Sequence, residues 1–508
     1  MSPRAGPALF PTDVSGPATL GTWLDASATA RPDAVAIETE ERTVSYGELS
    51  EIADAFARGL WLRGVRAGDV VASLSENRPE HVALFFACAR AGFIFCPLNW
   101  RLAPPETAEQ IALVTPRVLV VSSRWRATAA SIPDRRSPIV SFEEIADETG
   151  GRDWPTPSPE DGVLLITTSG STGTPKGVLL SHANCHWTNE SLAAVVDVRP
   201  SDGVLQILPQ FHVGGWNVQP LLAWRRGARV LLEARFDPER ALDLIDAGRV
   251  STMMGVPTNY LLMSQSPRFD RVDLSSLREI VVGGAVMPIG LAARWAERGV
   301  RVYQGYGLSE ASPNVCCLRP EDAAEHPGSV GRPYPHVEVA LYDVLARTFV
   351  EGEGRGELCV RGPNVFAGYW RDPAATVEAL VDGWLHSGDV AARDDEGFYR
   401  IVGRIKEIYV SGGENVYPAE VERVLGAHPG VLDAAVVAVA DERWGEAGVA
   451  YLVVEDPSHF DVSTLRSFCR TSLATYKVPR DFHVVDALPR TPVGKLDRAA
   501  LAQQAREL

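Results

Sequence analysis

The segment Thr167–Val178 carries the residue types that most directly suggest chemistry. It reads Thr-Thr-Ser-Gly-Ser-Thr-Gly-Thr-Pro-Lys-Gly-Val, so hydroxyl side chains and glycines lead to one lysine. Glycine lets backbone N–H groups approach a ligand closely, and hydroxyls add further donors. The apolar runs Val163–Ile166 and Val178–Leu180 flank the segment, which favours a loop held between two strands over a flexible linker. We therefore predict a loop that binds the phosphates of a nucleotide.

The spacing around the lysine excludes one common type of phosphate loop. A Walker A loop requires Gly-Lys-Ser/Thr in direct succession. Here Pro175 precedes Lys176 and Gly177 follows it. The chain is therefore not expected to be a P-loop NTPase.

A second group of reactive side chains lies at Gln304–Ala311. Tyr306 offers a ring face, Ser309 a hydroxyl and Glu310 a carboxylate, and glycines free the backbone between them. Adjacent hydroxyl and carboxylate oxygens suit Mg²⁺, which prefers oxygen ligands and shares them with phosphates. The alternative is a tight turn with a solvated glutamate.

Two segments with small residues are weaker candidates for substrate contacts. In Leu208–Trp216, His212 stands near two glycines, where a substrate could pass close to the backbone. The alternative is a core histidine that bonds to a backbone carbonyl. In Val281–Ala285 a strand ends in small residues, so a flat ring could rest at its carboxyl end. The alternative there is close packing of a helix.

Three further segments place single polar groups in loops. Asp389 could accept two hydrogen bonds from vicinal hydroxyls, as a ribose offers, although an Asx turn is the alternative. Ser411–Asn415 is a glycine loop, and Lys495 follows a Pro/Gly bracket near the C-terminus. Each of the last two segments would be read as a plain surface loop if it stood alone.

The composition excludes several classes of protein. The net charge of −16 argues against nucleic-acid binding through a broad basic surface. No run of about 18 apolar residues occurs, and the N-terminus has no signal-peptide core, so we expect a cytoplasmic protein without a membrane span. The seven cysteines lack metal-ligand spacing and are predicted to be reduced and buried.

The elements that must position these residues follow from the hydrophobic pattern. From residue 20 to about residue 400, short Val/Ile/Leu runs alternate with amphipathic stretches, for example a strand over 70–74, a helix over 80–91 and a strand over 118–121. This alternation predicts an α/β fold of βαβ units with largely parallel sheets. After residue 336 the pattern changes to that of antiparallel strands separated by turn residues.

The C-terminal hundred residues are predicted to form a separate α+β unit. After Gly403–Glu407 the pattern indicates a helix over 418–428, strands over 434–439 and 449–454, and a helix over 463–473. A unit of this size can fold around its own core.

The order of these motifs resembles that of the acyl-adenylate-forming superfamily, which includes acyl-CoA synthetases, non-ribosomal peptide adenylation domains and firefly-type luciferases. The resemblance extends from about residue 20 to about residue 500. It is carried by Thr167–Val178, Tyr306–Glu310, Gly383–Asp389, Gly403-Arg404, Gly412-Gly413 and Lys495.

The resemblance implies a fold with two domains. Residues 1–403 would form a large domain of βαβ-layered sheets with a small β-barrel-like subdomain, which holds the ATP and acyl sites. Residues 404–508 would form a small mobile α+β domain, with the hinge at Lys406. In such a protein a carboxylate attacks the α-phosphate of ATP to give acyl-AMP and pyrophosphate, and a thiol, usually that of CoA, then displaces AMP.

The resemblance also implies a role for each site residue. The β- and γ-phosphates would be held by Thr167, Thr168, Ser169, Gly170, Ser171, Thr172, Gly173 and Lys176. Adenine would be framed by Gly284, Ala285, Gln304, Gly305 and Gly307, with Tyr306 stacked on it. Asp389 and Arg404 would grip the ribose, Ser309 would contact the α-phosphate, and Glu310 would bind Mg²⁺.

The catalytic steps would depend on a lysine that moves. Lys495 would bridge the substrate carboxylate and the α-phosphate, where fixed cations stabilise the charge of the transition state. Rotation at Lys406 would withdraw Lys495 and bring the Gly412-Gly413 loop to the pantetheine tunnel. His212 would lie beside the carboxylate and guard the path of the thiol.

The acceptor is read from one more segment, Ala440–Gly445, which resembles the segment of CoA ligases whose tryptophan stacks on the CoA adenine. Trp444 is therefore a candidate CoA contact, and a buried turn tryptophan is the alternative. Transfer to a carrier protein or an amine instead of CoA remains an alternative function, and a non-enzymatic or luciferase-like relative is a third.

The acid is specified only as a class. By family position its pocket would be lined by His212, Gly214, Gly215, Trp216, Gly283 and Gly305. These residues have apolar neighbours and no evident acid to hold an amino group, so we predict a hydrophobic body, fatty, alicyclic or aromatic. The expected partners are thus a small carboxylic acid, ATP with Mg²⁺, and CoA, and a homodimer is left open.

Overall fold

The computed structural model describes residues 19–133, 135–146, 151, 154–168, 175–411, 414–441, 444–491 and 496–506, with only the backbone at 414 and 415. The predicted site residues outside this range are Ser169, Gly170, Ser171, Thr172, Gly173, Gly412, Gly413 and Lys495.

The strands of the described residues are numbered here in chain order. They are β1 Val35–Glu38, β2 Thr43–Ser45, β3 Val70–Leu74, β4 Ile94–Pro97, β5 Val118–Val121, β6 Ile139–Ser141, β7 Gly162–Thr168, β8 Lys176–Ser181, β9 Gly203–Gln206, β10 Arg229–Leu232, β11 Thr252–Gly255, β12 Glu279–Val282, β13 Arg301–Tyr306, β14 Cys316–Leu318, β15 Arg332–Pro333, β16 Glu338–Asp343, β17 Thr348–Phe349, β18 Gly354–Arg361, β19 Gly368–Tyr369, β20 Leu380–Val381, β21 Trp384–Arg393, β22 Tyr399–Arg404, β23 Tyr409–Ser411, β24 Glu414–Val416, β25 Val431–Asp441, β26 Gly445–Val454 and β27 Asp481–Val484.

The α-helices of the same residues are numbered likewise. They are α1 Leu20–Ala30, α2 Tyr46–Leu62, α3 Pro79–Ala91, α4 Pro104–Val114, α5 Arg126–Ala130, α6 Phe142–Ala146, α7 His182–Ala193, α8 Gly214–Asn217, α9 Pro220–Arg226, α10 Pro238–Asp246, α11 Pro257–Gln265, α12 Ile289–Glu297, α13 Pro373–Ala379, α14 Pro418–Gly426, α15 Val462–Ser472 and α16 Arg498–Arg506.

The chain divides into two compact units, one within residues 1–339 and 360–386, the other within residues 340–359 and 387–508. The contacts therefore group two stretches before residue 404 with the C-terminal residues. The boundary at 403/404 and the hinge at Lys406 stay predictions.

The first unit is built on two large sheets. The nine-stranded sheet has the order β15-β14-β13-β12-β11-β9-β10-β1-β2, and its neighbouring strands from β12 through β10 to β1 are parallel. The seven-stranded sheet has the order β19-β8-β7-β4-β3-β5-β6, and its pairs are parallel except β7–β8 and β8–β19, which are antiparallel. The predicted α/β class is confirmed.

Helices cover these sheets because their apolar faces need a partner. On the nine-stranded sheet, Ile245 of α10, Tyr260 of α11 and Trp295 of α12 pack with Leu205 and Ile280 of the strands. The predicted strands over 70–74 and 118–121 match β3 and β5, and the helix predicted over 80–91 is α3. Pro79 begins that helix at its first turn, and Gly92 ends it in a left-handed conformation.

The predicted change of pattern after residue 336 corresponds to a six-stranded sheet. Its order is β17-β16-β18-β21-β20, with β22 paired to β21. Adjacent strands such as β21 and β22 are antiparallel, as the pattern predicted, and this sheet corresponds to the small β-barrel-like subdomain that the resemblance implied.

The C-terminal part of the second unit has its own sheet and core, as predicted. Strands follow the order β24-β23-β26-β25, and β27 pairs with β26. Because side chains alternate along β25, Val436 faces a cluster with α14 and α15, while Val437 faces α16. The predicted helices and strands correspond to α14, β25, β26 and α15.

Two predictions from composition can be compared with the structure. All seven cysteines are buried and none forms a disulfide, as expected. Among the described helices, none combines the length and the apolar character that a bilayer crossing requires.

Candidate active site

The predicted phosphate loop connects two paired strands of the first unit. Strands β7 and β8 are antiparallel, with Thr167 opposite Gly177 and Thr168 opposite Lys176. The Thr168 hydroxyl donates to the Lys176 carbonyl at 3.4 Å, and the Gln110 amide donates to the Thr167 hydroxyl at 2.8 Å. The pairing therefore holds both threonines and the lysine at the same end of the two strands.

Lys176 faces an aromatic ring contributed by a distant part of the chain. Its ammonium nitrogen lies 4.7 Å from the centroid of the Tyr369 ring. Strand β19 brings Tyr369 there by pairing with β8, and the Trp370 amide donates to the Gly177 carbonyl at 2.7 Å. In the described part of the chain no ion pair is recorded for Lys176, so its charge is available to an anionic ligand.

Glu310 lies at the same tyrosine. It sits in a short 3₁₀ helix, Ser309–Ala311, directly after β13, and its carbonyl accepts from the Phe366 amide at 2.9 Å. The Tyr369 hydroxyl donates to Glu310 Oε1 at 2.8 Å. Burial and the carboxylate raise the pKa of Tyr369, so its hydroxyl keeps the proton that it donates.

These groups fit a magnesium–triphosphate ligand. One oxygen of Glu310 accepts from the phenol, while for the other no partner is recorded among the described residues. A carboxylate oxygen of the half-buried Glu310 suits Mg²⁺, and the Lys176 ammonium suits phosphate oxygens. When bound, Mg²⁺ would offset the negative charge of the phosphates.

The predicted adenine site lies at the carboxyl ends of the neighbouring strands β12 and β13. Gly284 and Ala285 are exposed there, and Gly284 has a φ of 76°, which favours glycine. The Gln304 side chain is buried and braces this turn, since it accepts from the Met287 amide at 2.8 Å and donates to the Ala285 carbonyl at 3.1 Å. Gln304 thus shapes the turn, and its contact with a nucleotide stays a prediction.

Tyr306 and Gly307 follow at the end of β13. Tyr306 is half-buried, and its stacking on adenine stays a prediction. A methyl group added at Gly307 would overlap the Pro313 carbonyl oxygen at 1.4 Å. Glycine at 307 is therefore required by the close approach of two backbone segments, whatever its role toward the nucleotide.

The residues predicted for the acyl pocket fall into two groups. His212 is half-buried beside the Phe211 ring, at 4.6 Å between centroids. Trp216 is fully buried, stacks on Phe85 at 4.6 Å and donates from its indole to the Gln210 carbonyl at 2.6 Å. Trp216 is core, as its packing shows, so its predicted contact with the substrate has no support from its environment.

The glycines of the predicted pocket differ in the space beside them. A methyl group at Gly215 would lie 2.7 Å from the Pro209 carbonyl oxygen, so this glycine serves packing. At Gly283 it would meet only the flexible end of Met254, at 2.8 Å. At Gly214 and Gly305 the nearest atoms would lie 3.6 Å and 3.4 Å away, which is ordinary van der Waals contact.

In the second unit, the two predicted ribose residues form a pair. Asp389 lies opposite Arg404 in the β21–β22 ladder, and their side chains make an ion pair at 2.8 Å. Asp389 is buried, with 5% of its surface exposed, whereas the side chain of Arg404 is 48% exposed. Burial and the charge of Arg404 lower the pKa of Lys406 two residues later.

Trp444 lies on the surface of the second unit. It is 37% exposed, and its amide donates to Asp441 Oδ1 at 2.9 Å. The alternative of a buried turn tryptophan is wrong, because the indole has surface available. Its contact with CoA stays a prediction.

A cluster of arginines and tryptophan in the first unit carried no signal in the sequence. Arg101 and Arg235 lie over the Trp100 ring at 5.1 Å and 5.7 Å, and Arg101 is also 5.6 Å from the Phe211 ring. Burial and the charge of Arg235 lower the pKa of Arg101. For neither arginine is a carboxylate partner recorded in the described ranges, so the pair is suited to an anion.

Tyr369 and Gln110 are further residues at the site that the sequence did not reveal. Gly368-Tyr369-Trp370 carries no phosphate-binding pattern, and only strand pairing brings it to Lys176. Gln110 lies in a helix, α4, whose sequence has no feature that would separate it from an ordinary surface glutamine.

Comparisons with known proteins find similar chains over nearly the whole length of this one. The family model described as AMP-binding enzyme matches residues 24–370, and the model described as AMP-binding enzyme C-terminal domain matches residues 420–495. The chain is 40% identical over 480 residues to a feruloyl-CoA synthase of an Amycolatopsis species, covering 94% of this chain and 97% of the relative.

Two more similarities bear on the ligands. An indoleacetate–CoA ligase of Aromatoleum aromaticum is 37% identical over 499 residues, covering 95% of this chain and 98% of the relative. The solved structure of O-succinylbenzoate coenzyme A synthetase from Bacillus subtilis, in complex with ATP and magnesium ion, has a TM-score of 0.85 and 31% identity, covering 94% and 98% of the two chains.

Proposed function

Because this chain belongs to the AMP-binding enzyme family and is an AMP-forming acid–thiol ligase that uses ATP, Mg²⁺ and CoA, we propose that its acid is a hydrophobic and specifically an aromatic one. The reaction would pass through acyl-AMP and end in the CoA thioester and AMP. Feruloyl-CoA synthase and indoleacetate–CoA ligase are named for aromatic acids, and this similarity supports the narrower class.

The observation that carries the proposal is the space at the end of β13. A methyl group at Gly305 would have only the Val282 carbonyl oxygen at 3.4 Å and the Tyr334 hydroxyl at 3.9 Å near it. Leu208 and Met254 are the nearest side chains at Gly214 and Gly283. The apolar side chains at Gly214 and Gly283 favour an uncharged body over an amino acid or a dicarboxylic acid, and the open space at Gly305 leaves room for that body.

Within the first step, the residues of this chain would position charges. Thr167, Thr168 and Lys176 would hold the terminal phosphates, and Glu310 would orient the Mg²⁺-bound triphosphate for attack by the acid. His212 would stay beside the carboxylate. Because these groups are fixed before the reaction, they stabilise the developing charge at little cost in reorganisation.

For the second step we infer that an exposed aromatic side chain recognises CoA. The exposed Trp444 would stack on the adenine of CoA. Domain alternation at Lys406 would exchange Lys495 for the 412–413 loop between the steps.

The proposal is tested with a panel of acids. Ferulic, cinnamic and indole-3-acetic acids are compared with decanoic acid, malonic acid and phenylalanine, by pyrophosphate release and by mass of the thioester. We expect kcat/KM for the best aromatic acid to exceed that for decanoic acid by about tenfold or more. A higher value for decanoic or malonic acid would contradict the aromatic assignment.

The same assay separates the two acceptors. CoA and a phosphopantetheinylated carrier protein are supplied in turn with the best acid. Thioester formation on CoA is expected, and acylation of the carrier alone would favour the alternative acceptor. A cytoplasmic location remains a prediction that cell fractionation can test. A homodimer remains a prediction that size determination can test.

Gly305→Ala tests the pocket directly. The added methyl group is expected to lower kcat/KM for ferulic acid by about tenfold or more, and that for propionic acid by no more than about threefold. Gly290→Ala is the matched control, because a methyl group there has nothing within 4 Å. An equal loss for both acids, with a raised KM for ATP, would place Gly305 at adenine only.

A further inference from the structure

We propose that Tyr369 is a positioning residue of the adenylation step, which holds Glu310 and Lys176 in the arrangement that receives magnesium and triphosphate. This inference rests on the roles proposed above for Glu310 and Lys176. The tyrosine would act through them and would touch neither the acid nor the α-phosphate.

The first contact orients the carboxylate. The Tyr369 hydroxyl donates to Glu310 Oε1 at 2.8 Å, so the carboxylate is held by one oxygen and can present the other. Ordering a glutamate side chain costs conformational entropy. Because the bond to Tyr369 already orders Glu310, less entropy is lost when Mg²⁺ binds. Removal of the hydroxyl should therefore weaken the affinity for the cation.

The second contact orients the ammonium group of Lys176. The Lys176 ammonium lies 4.7 Å from the Tyr369 ring centroid, within the range of a cation–π interaction. The ring offers attraction without a full negative charge, so the ammonium keeps its capacity to pair with phosphate. A carboxylate in the same place would compete with the ligand.

The backbone places the tyrosine independently of its side chain. Strand β19 pairs with β8, with Tyr369 opposite Val178, and the Phe366 amide donates to the Glu310 carbonyl at 2.9 Å. The segment that carries Tyr369 is thus bonded by its backbone to both the hairpin and the 3₁₀ helix. Replacing the side chain should leave this framework in place.

The hydroxyl and the ring can be separated by two variants. Tyr369→Phe removes the hydroxyl bond and keeps the ring, and Tyr369→Leu removes both. Tyr342→Phe is the control, because Tyr342 packs on Phe349 at 5.4 Å in the second unit. Folding of each variant is verified by circular dichroism and thermal unfolding.

Binding, rather than turnover, is the primary readout. Affinity for α,β-methylene-ATP is measured by calorimetry without acid or CoA, over a range of Mg²⁺ concentrations. For Tyr369→Phe we expect the Mg²⁺ concentration at half-maximal binding to rise about tenfold, with little change in nucleotide Kd at saturating Mg²⁺. For Tyr369→Leu the nucleotide Kd at saturating Mg²⁺ should also rise about threefold.

Glu310→Gln distinguishes failure of this inference from failure of the assigned metal ligand. If Glu310→Gln leaves the Mg²⁺ dependence unchanged, the role given to Glu310 is wrong and the inference is overturned with it. If Glu310→Gln raises the Mg²⁺ requirement while Tyr369→Phe does not, only the role of Tyr369 is wrong. If both roles are correct, adding Tyr369→Phe to Glu310→Gln causes no further rise in the Mg²⁺ requirement. The variants Tyr369→Phe and Glu310→Gln are sufficient for the test if Tyr369→Leu does not fold.

Discussion

At the scale of single residues, the site consists of charges whose neighbours come from distant parts of the sequence. Lys176 and Glu310 are separated by 134 positions in the chain, yet one tyrosine contacts both. Each charged group thus has a partner that fixes its position without neutralising it. This arrangement leaves both charges available for a ligand that carries the complementary charges.

Lys495 is predicted to serve only the first half-reaction. In Lys495→Ala the transition state of adenylation loses a fixed cation, so its rate is expected to fall about a hundredfold or more. Thioester formation from supplied acyl-AMP should be close to that of the unmodified enzyme. The two rates are measured separately, by pyrophosphate release and by thioester mass. An equal loss in both would contradict this division.

At the scale of elements, paired strands place the polar groups. The hairpin β7–β8 sets Thr168 opposite Lys176, and the ladder β21–β22 sets Asp389 opposite Arg404. In both cases the partners are close in sequence and are aligned by the register of antiparallel strands. The register is therefore the structural cause of each pair.

Arg404→Ala is expected to weaken ATP binding more than stability. The variant removes the guanidinium proposed to bind the ribose beside Asp389, so the KM for ATP should rise about tenfold. Because Arg404 is half exposed, the loss in unfolding free energy should be only about 1 kcal/mol. Arg404→Lys keeps the charge and serves as the control. Unchanged KM with reduced stability would make the pair purely structural.

A hydrogen bond to the titratable side chain of His182 links α1 to α7. The Leu20 amide donates to His182 Nδ1 at 3.1 Å, which requires that nitrogen to be unprotonated. Burial, which outweighs the charge of Asp161, lowers the pKa of His182 from 6.5 to about 4. The neutral form is thus favoured in the folded state.

This histidine predicts a pH dependence of stability. Neutral His182 contributes its full stabilisation of the folded state above pH 6.5, where the histidine of the unfolded chain is also neutral. This contribution is lost as the pH falls from 6.5 toward 4. The free energy of unfolding should fall by about 3 kcal/mol over this range. Urea unfolding of the enzyme and of His182→Asn, which keeps an acceptor but does not titrate, measures the difference. Parallel pH curves for the two proteins would contradict the assignment.

At the scale of the whole molecule, two half-reactions are proposed to share one enzyme through a movement at Lys406. Arg404, two residues before Lys406, and Glu407, directly after it, are both held by ion pairs. Arg404 pairs with Asp389 at 2.8 Å, and Glu407 pairs with Arg498 at 3.2 Å. Lys406 thus stands between two anchored positions, which supports its assignment as the residue whose torsions change.

Lys406→Pro tests this movement. Proline fixes φ near −65°, so it should prevent rotation while leaving one arrangement intact. We expect adenylation to change less than about threefold and thioester formation to fall about a hundredfold. Lys406→Ala keeps the rotation and is the control. Equal rates of thioester formation in the two variants would exclude the hinge at this position.

The sequence alone determined the class of fold, the order of the motifs and the cosubstrates. Strand and helix patterns such as those of β3, α3 and the C-terminal unit are local, because burial on one face imposes its period on the residues themselves. The glycines and hydroxyls of Thr167–Val178 are likewise contiguous, so the sequence alone is enough to predict a phosphate loop there.

Only the tertiary structure decided which distant residues meet. Tyr369 reaches Lys176 and Glu310 through the pairing of β19 with β8, and Gln110 bonds to Thr167 from helix α4. Trp216 belongs to the core, while Trp444 lies at the surface, although both stand in motifs with glycines. Burial and long-range contact depend on how elements pack, and packing depends on side chains that no single segment of sequence contains.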